Sequence, residues 1–81
     1  MNVRIMFFAA MADAIGSRTV ELTLAEGTTA GELVSRLCEM HEHITPMCSS
    51  VAIAVNESYA SRNTSLKDGD VVALIPPVSG G

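Results

Sequence analysis

Aromatic side chains are scarce in this chain: Phe7, Phe8 and Tyr59 are all there are, and tryptophan is absent. A core built from these 81 residues therefore rests on aliphatic packing, which the 48% apolar content can supply. Basic residues are also few, five against nine acids for a formal charge of −4, and they form no cluster. Nucleic-acid binding, which depends on neutralising phosphates with lysine and arginine, is thereby disfavoured. No apolar run approaches the roughly 20 residues that span a bilayer. The start of the chain also lacks a basic region followed by an apolar stretch and a cleavage site. The chain reads as cytoplasmic, with neither membrane nor nucleic acid as a partner.

Catalytic motifs are missing too. There is no Gly-x-Ser-x-Gly elbow. Gly27, Gly31 and Gly69 are dispersed, and none opens a phosphate-cradling loop. Cys38 and Cys48 lack the Cys-x-x-Cys spacing of a zinc knuckle or redox pair. They are expected to be reduced, partly buried and structural, as free cysteines usually are; a persulfide-carrying role is the alternative. His41 and His43 point to different sides of a helix and read as solvated surface residues. No bound metal or cofactor is expected. A single domain of this size buries only about 60% of its unfolded surface, so a deep pocket is not expected either.

What the sequence does contain is regular patterning. Residues 3 to 9 alternate as a strand, with Val3, Ile5 and Phe7 on one face and Arg4, Met6 and Phe8 on the other. Ala9 to Ile15 can hold a helical turn that Gly16-Ser17 ends. A second strand runs from Arg18 to Leu24, with Val20, Leu22 and Leu24 inward. The best-signalled element is a helix opened by Thr29, with Glu32 completing a capping box. Its apolar stripe is Ala30, Leu33, Val34, Leu37 and Met40, and Glu32 and Arg36 are spaced as an exposed pair. The helix breaks before Pro46. Val51 to Val55 and Val71 to Ile75 read as further strands, Tyr59 to Ser61 as a short edge segment, and Asn56 and Gly69 as turn residues. The order of hairpin, helix and strands gives an α+β domain, and a mixed sheet of four to five strands with one main helix on one face, the β-grasp arrangement, fits it best.

The chain stops on Gly80-Gly81, behind Pro76, Pro77, Val78 and Ser79, six residues without a charged side chain. A terminal glycine leaves both faces of its carboxyl group open to attack, and paired glycines keep the tip thin. Fully extended, the last four residues reach roughly 13 Å at about 3.3 Å per residue. Paired glycines alone also describe a functionless end. Here they follow directly on a strand and a proline with fixed φ, so the tail leaves the fold from a fixed point. Residues 1–75 read as the domain and 76–81 as an extended tail. Beside the tail, Met6, Phe8, Ala52, Ala54, Ala73 and Ile75 read as an apolar surface opposite the helix, a candidate protein interface.

Val-Arg-Ile-Met-Phe-Phe-Ala at 3 to 9, the capped helix at 29, the Asn56 turn, Leu66-Lys67-Asp68-Gly69-Asp70-Val71 and the closing Pro-Pro-Val-Ser-Gly-Gly together resemble the small, sulfur-carrying subunits of molybdopterin synthase, a ubiquitin-like β-grasp family. The resemblance spans nearly the whole chain and departs from the family at Ile75, where an aromatic residue is common. It implies that Gly81, with Gly80 beside it, is the reacting end. A partner adenylating enzyme would spend ATP on activating that carboxyl, sulfur would replace AMP to give a thiocarboxylate, and the acceptor would be cyclic pyranopterin monophosphate. It also implies a large-subunit partner contacting Met6, Phe8, Ala73, Ile75 and Pro76 to Ser79, in an assembly of two small and two large subunits. The other readings are a ubiquitin-like modifier or interaction module, and a sulfur carrier for thiamine thiazole synthesis, against which the double proline argues.

Overall fold

The computed structural model describes residues 1–77. Five strands form one mixed sheet in the order β2-β1-β5-β3-β4, with β1 Asn2–Phe7, β2 Thr19–Thr23, β3 Ala52–Val55, β4 Ser58–Ala60 and β5 Val71–Ile75. β1 runs antiparallel to β2 and parallel to β5, while β3 is antiparallel to both β5 and β4. The connection after β2 carries α2, Ala30–Met40, and a shorter α1, Ala9–Ile15, joins β1 to β2. This is the β-grasp arrangement expected from the element order.

One face of the sheet buries Val3, Ile5, Phe7, Ile53, Val72 and Leu74 against Ala30, Leu33, Val34 and Leu37 of α2, with Met11 of α1 in the same cluster. The period-2 and period-3.6 patterns thus meet in a single core. Met40 departs from its expected place on the stripe: it is 53% exposed, because α2 ends there and the chain turns into a 3-10 helix, Glu42–Met47. That segment is more ordered than the break expected before Pro46, and it carries the fully buried Ile44 beneath it. β1 ends at Phe7 rather than at residue 9, since Phe8 becomes the N-cap of α1.

The start of α2 shows why its sequence signal is strong. Thr29 Oγ1 accepts from the Glu32 amide at 3.2 Å, and Glu32 Oε1 accepts from the Thr29 amide at 2.9 Å, the reciprocal capping box. Glu32 is therefore turned back onto the cap, and the ion pairs among the described residues do not include one with Arg36. The next two amides, of Ala30 and Gly31, donate to Thr64 O and Arg62 O, each at 2.8 Å. Gly31 has to be glycine, because a Cβ there would lie 2.9 Å from Arg62 Cβ.

These hydrogen bonds, from the Thr29 backbone first and its hydroxyl second, hold the Glu32 carboxyl below the ordinary glutamate value. A depressed value means that the linked stability is present above the unfolded-state value and is lost as pH falls through the folded one. Thr29→Ala should cost about 1 kcal/mol, as loss of an N-cap usually does. It should also bring the Glu32 titration, followed by carboxyl NMR, part of the way up toward its ordinary midpoint, since the alanine keeps the backbone amide that is the larger cause; an unmoved midpoint would show that the Thr29 hydroxyl contributes nothing to the shift.

A second polar cluster fixes the other end of the sheet. β3 and β4 are joined through Asn56 and Glu57, both with positive φ (50° and 71°), the backbone of a tight two-residue hairpin turn. Asn56 Nδ2 donates to Asp70 Oδ1 at 2.9 Å, and Asn56 Oδ1 accepts from the Val71 amide at 3.0 Å. Asp70, one of the core's few polar members, also accepts from the Lys67 amide at 2.7 Å. Gly69 supplies the positive φ of 87° that lets this turn close, as its position suggested.

Candidate functional site

The face of the sheet opposite α2 follows from register. Met6 pairs with Ala73, Ala73 with Ala54, and Ala54 with Tyr59, so these four side chains form one row across four strands. Ile75 pairs with Ala52 one step further toward the tail, and Arg4 pairs with Val71 one step away from it. Met6, Ala73, Ile75 and Val71 are half-buried, Ala54 is buried and Ala52 is exposed. Small side chains at the centre leave this surface shallow, and Tyr59, 83% exposed, stands at its far edge. On the opposite side it is bounded by charge: Arg4 lies 3.8 Å from Glu21. An apolar centre with a charged margin is the anatomy of a protein-binding surface.

The expected contact residues Met6, Ala73 and Ile75 sit on this face. Phe8 lies just past the end of β1, 42% exposed, at the same end of the sheet as Ile75. Pro76 is buried at the root of the tail, and Pro77 is exposed. Val78, Ser79, Gly80 and Gly81 lie outside the described residues. Tyr59 and Val71 were missed as members of the face. The signal was available for both: Val71 alternates with Ala73 and Ile75, and Tyr59 is an exposed aromatic in a chain that has very few.

The cysteines are a correction. Cys38 and Cys48 are joined as a disulfide, with Cα atoms 6.5 Å apart. Their separation of ten residues gave no recognisable motif, but the turn after α2 and the 3-10 helix bring the second cysteine back beside the last turn of the first helix. Closing a loop of this length contributes about 3 kcal/mol in the chain-entropy account. His41 caps α2, donating its amide to Leu37 O, and His43 is exposed on the 3-10 helix. Among the described residues, no three His, Cys, Asp or Glu side chains come together as a metal site, and no helix is long and apolar enough to cross a membrane.

Comparison with known proteins extends this geometry. Residues 5–81 match the profile of the ThiS family. The chain belongs to that family. Among its relatives, the molybdopterin synthase sulfur carrier subunit of Mycobacterium tuberculosis is 35% identical over 82 residues, covering 100% of this chain and 99% of that one. Among solved structures, SAMP1 from Haloferax volcanii superposes with a TM-score of 0.87 at 27% identity, and the two chains cover each other fully (100% each). A complex of subunits 1 and 2 of the molybdopterin-converting factor from Helicobacter pylori contains a chain that matches with a TM-score of 0.71 at 32% identity, again over 100% of both. The ThiS-family chain described here thus shares its fold and its full length with these relatives.

Proposed function

We infer that this chain is the sulfur carrier subunit of a molybdopterin synthase, and that its Gly81 carboxyl is the reacting group. The observation that carries this reading is the end-to-end match to a molybdopterin synthase sulfur carrier subunit, running through the Pro-Pro-Val-Ser-Gly-Gly terminus. A carboxylate is a poor electrophile. A partner adenylating enzyme, using ATP, converts it to an acyl-adenylate; sulfur then displaces AMP and leaves a thiocarboxylate. The thiocarboxylate sulfur attacks a carbon of cyclic pyranopterin monophosphate and displaces an oxygen substituent from it, and hydrolysis of the acyl–sulfur bond returns Gly81 to its acid. Two such transfers build the dithiolene.

The chain's own part is presentation. Buried Pro76 fixes where the tail begins, and the apolar face of Met6, Ala73, Ile75 and Tyr59 supplies the docking surface for the large subunit. A complex of the two factor subunits from Helicobacter pylori supports such a partner. Pocket groups that bind the acceptor's phosphate belong to that partner, since this chain has no cluster of basic side chains. The test is reconstitution: thiocarboxylated carrier, large subunit and cyclic pyranopterin monophosphate should yield molybdopterin, detected as its oxidised fluorescent derivative. Covalent attachment of the chain to lysines of other proteins, with no dithiolene formed, would favour the modifier reading that the likeness to SAMP1, the small archaeal modifier protein 1 of Haloferax volcanii, brings.

A further inference from the structure

The disulfide has no part in the chemistry above, yet the segment that follows it leads to the pole of the sheet from which β5 runs into Pro76-Pro77. β1 and β5 run parallel and β3 runs antiparallel to β5, so the ends of β1 and β5 and the start of β3 lie at one pole of the sheet. The tail leaves from that pole. Its root at Pro76-Pro77 is flanked by Phe8 after β1 and by residues 48–51, which lead into β3 at Ala52, the partner of Ile75. Cys48 begins the second flank. Its bond to Cys38 ties that flank to the last turn of α2, and Arg62 Nη2 donates to Cys48 O at 2.6 Å from the other side.

The alternative state is also accommodated. Cys48 Sγ lies 3.1 Å from Ile44 O, so in the dithiol it has an acceptor for its S–H. Ile44 and Val51 are buried in the core in their own right, so opening the bond loosens the stretch between them, residues 48–50, without dismantling the fold. Both cysteines are half-buried rather than sealed. Disulfides in reducing compartments are commonly transient and redox-sensing.

We propose that Cys38–Cys48 is a redox-sensitive clasp on one wall of the tail's exit: closed, it pre-organises the 48–50 flank for partner docking, and open, it loosens that flank and weakens docking. Closing joins the two sulfurs and passes two electrons and two protons to a disulfide oxidant of the glutathione type; opening takes them back from a dithiol reductant. The proposal rests on the functional reading above. Its direction follows from pre-organisation, since ordering a loose segment at an interface costs affinity.

The experiment compares the full chain in oxidised and reduced form, alongside the Cys38→Ser/Cys48→Ser variant. Hydrogen exchange is followed by mass spectrometry, and binding to the large subunit by calorimetry. Reduction of the wild type should speed amide exchange across residues 48–50 at least about tenfold, with the β1 and β5 amides unchanged. It should weaken binding about three- to tenfold. The variant should behave as the reduced form under both conditions. Equal affinity in the two redox states overturns the proposal whether or not exchange changes, as does a redox response that persists in the variant. Binding in neither state contradicts the functional reading and removes the regulation with it, and exchange, which needs no partner, then reports only whether the clasp opens.

Discussion

Deleting Gly81 should abolish sulfur transfer while leaving the melting temperature where it is. The deletion variant still ends in a glycine carboxylate, at Gly80, so the chemistry of the terminal group is conserved and only its position changes, by about 3.3 Å. Misplacing a reacting atom by even 1 Å can cost on the order of a hundredfold, so a loss of at least about that size is expected in single-turnover transfer to the acceptor. The fold should not notice. Among the described residues the core runs from Val3 to Leu74. A fall in melting temperature of more than a degree or two would mean that the terminus is docked as a structural element.

Phe8→Asp should separate docking from folding at the other side of the tail's exit. Phe8 is 42% exposed at the same pole, and burying an unpaired carboxylate in an apolar interface costs about 2–3 kcal/mol or more. The dissociation constant for the large subunit should rise roughly 30- to 150-fold. The same change should not harm the monomer, because Phe8 is the N-cap of α1 and makes no side-chain capping bond, whereas aspartate is among the preferred residues there. Calorimetry of the complex and thermal denaturation of the free variant read the two effects independently. An unchanged dissociation constant with the fold intact would place the docking surface elsewhere, for example wholly on the Ala54–Tyr59 side of the sheet.

The strands and the main helix were legible in the sequence because each rests on a local signal: alternation in Val3, Ile5 and Phe7, the Thr29–Glu32 capping box, and the glycine at position 69. The outer face was legible in part, since alternation says which side chains share a face within a strand but not which strands adjoin. Tyr59 joins the row only through the pairing of β4 with β3, and that depends on the Asn56–Glu57 turn and its hydrogen bonds to Asp70 and Val71. The disulfide was not legible for the same reason. Ten residues of separation carry no motif, and the two sulfurs meet only because the chain turns after α2 and buries Ile44. Met40 illustrates the limit from the other direction: it continues the helical period, but the helix ends before its side chain reaches the core.

The central claim is that one group, the Gly81 carboxyl, carries the chemistry while the remaining residues position it and choose its partners. The most direct measurement is the intact mass of the chain, with fragmentation of its C-terminal peptide, after incubation with the adenylating enzyme, ATP and a sulfur source. The account predicts a gain corresponding to one oxygen-to-sulfur exchange, located on Gly81 and reversed when the acceptor and large subunit are added. A terminus that remains a plain acid, or sulfur found on Cys38 or Cys48 and not on Gly81, would contradict it.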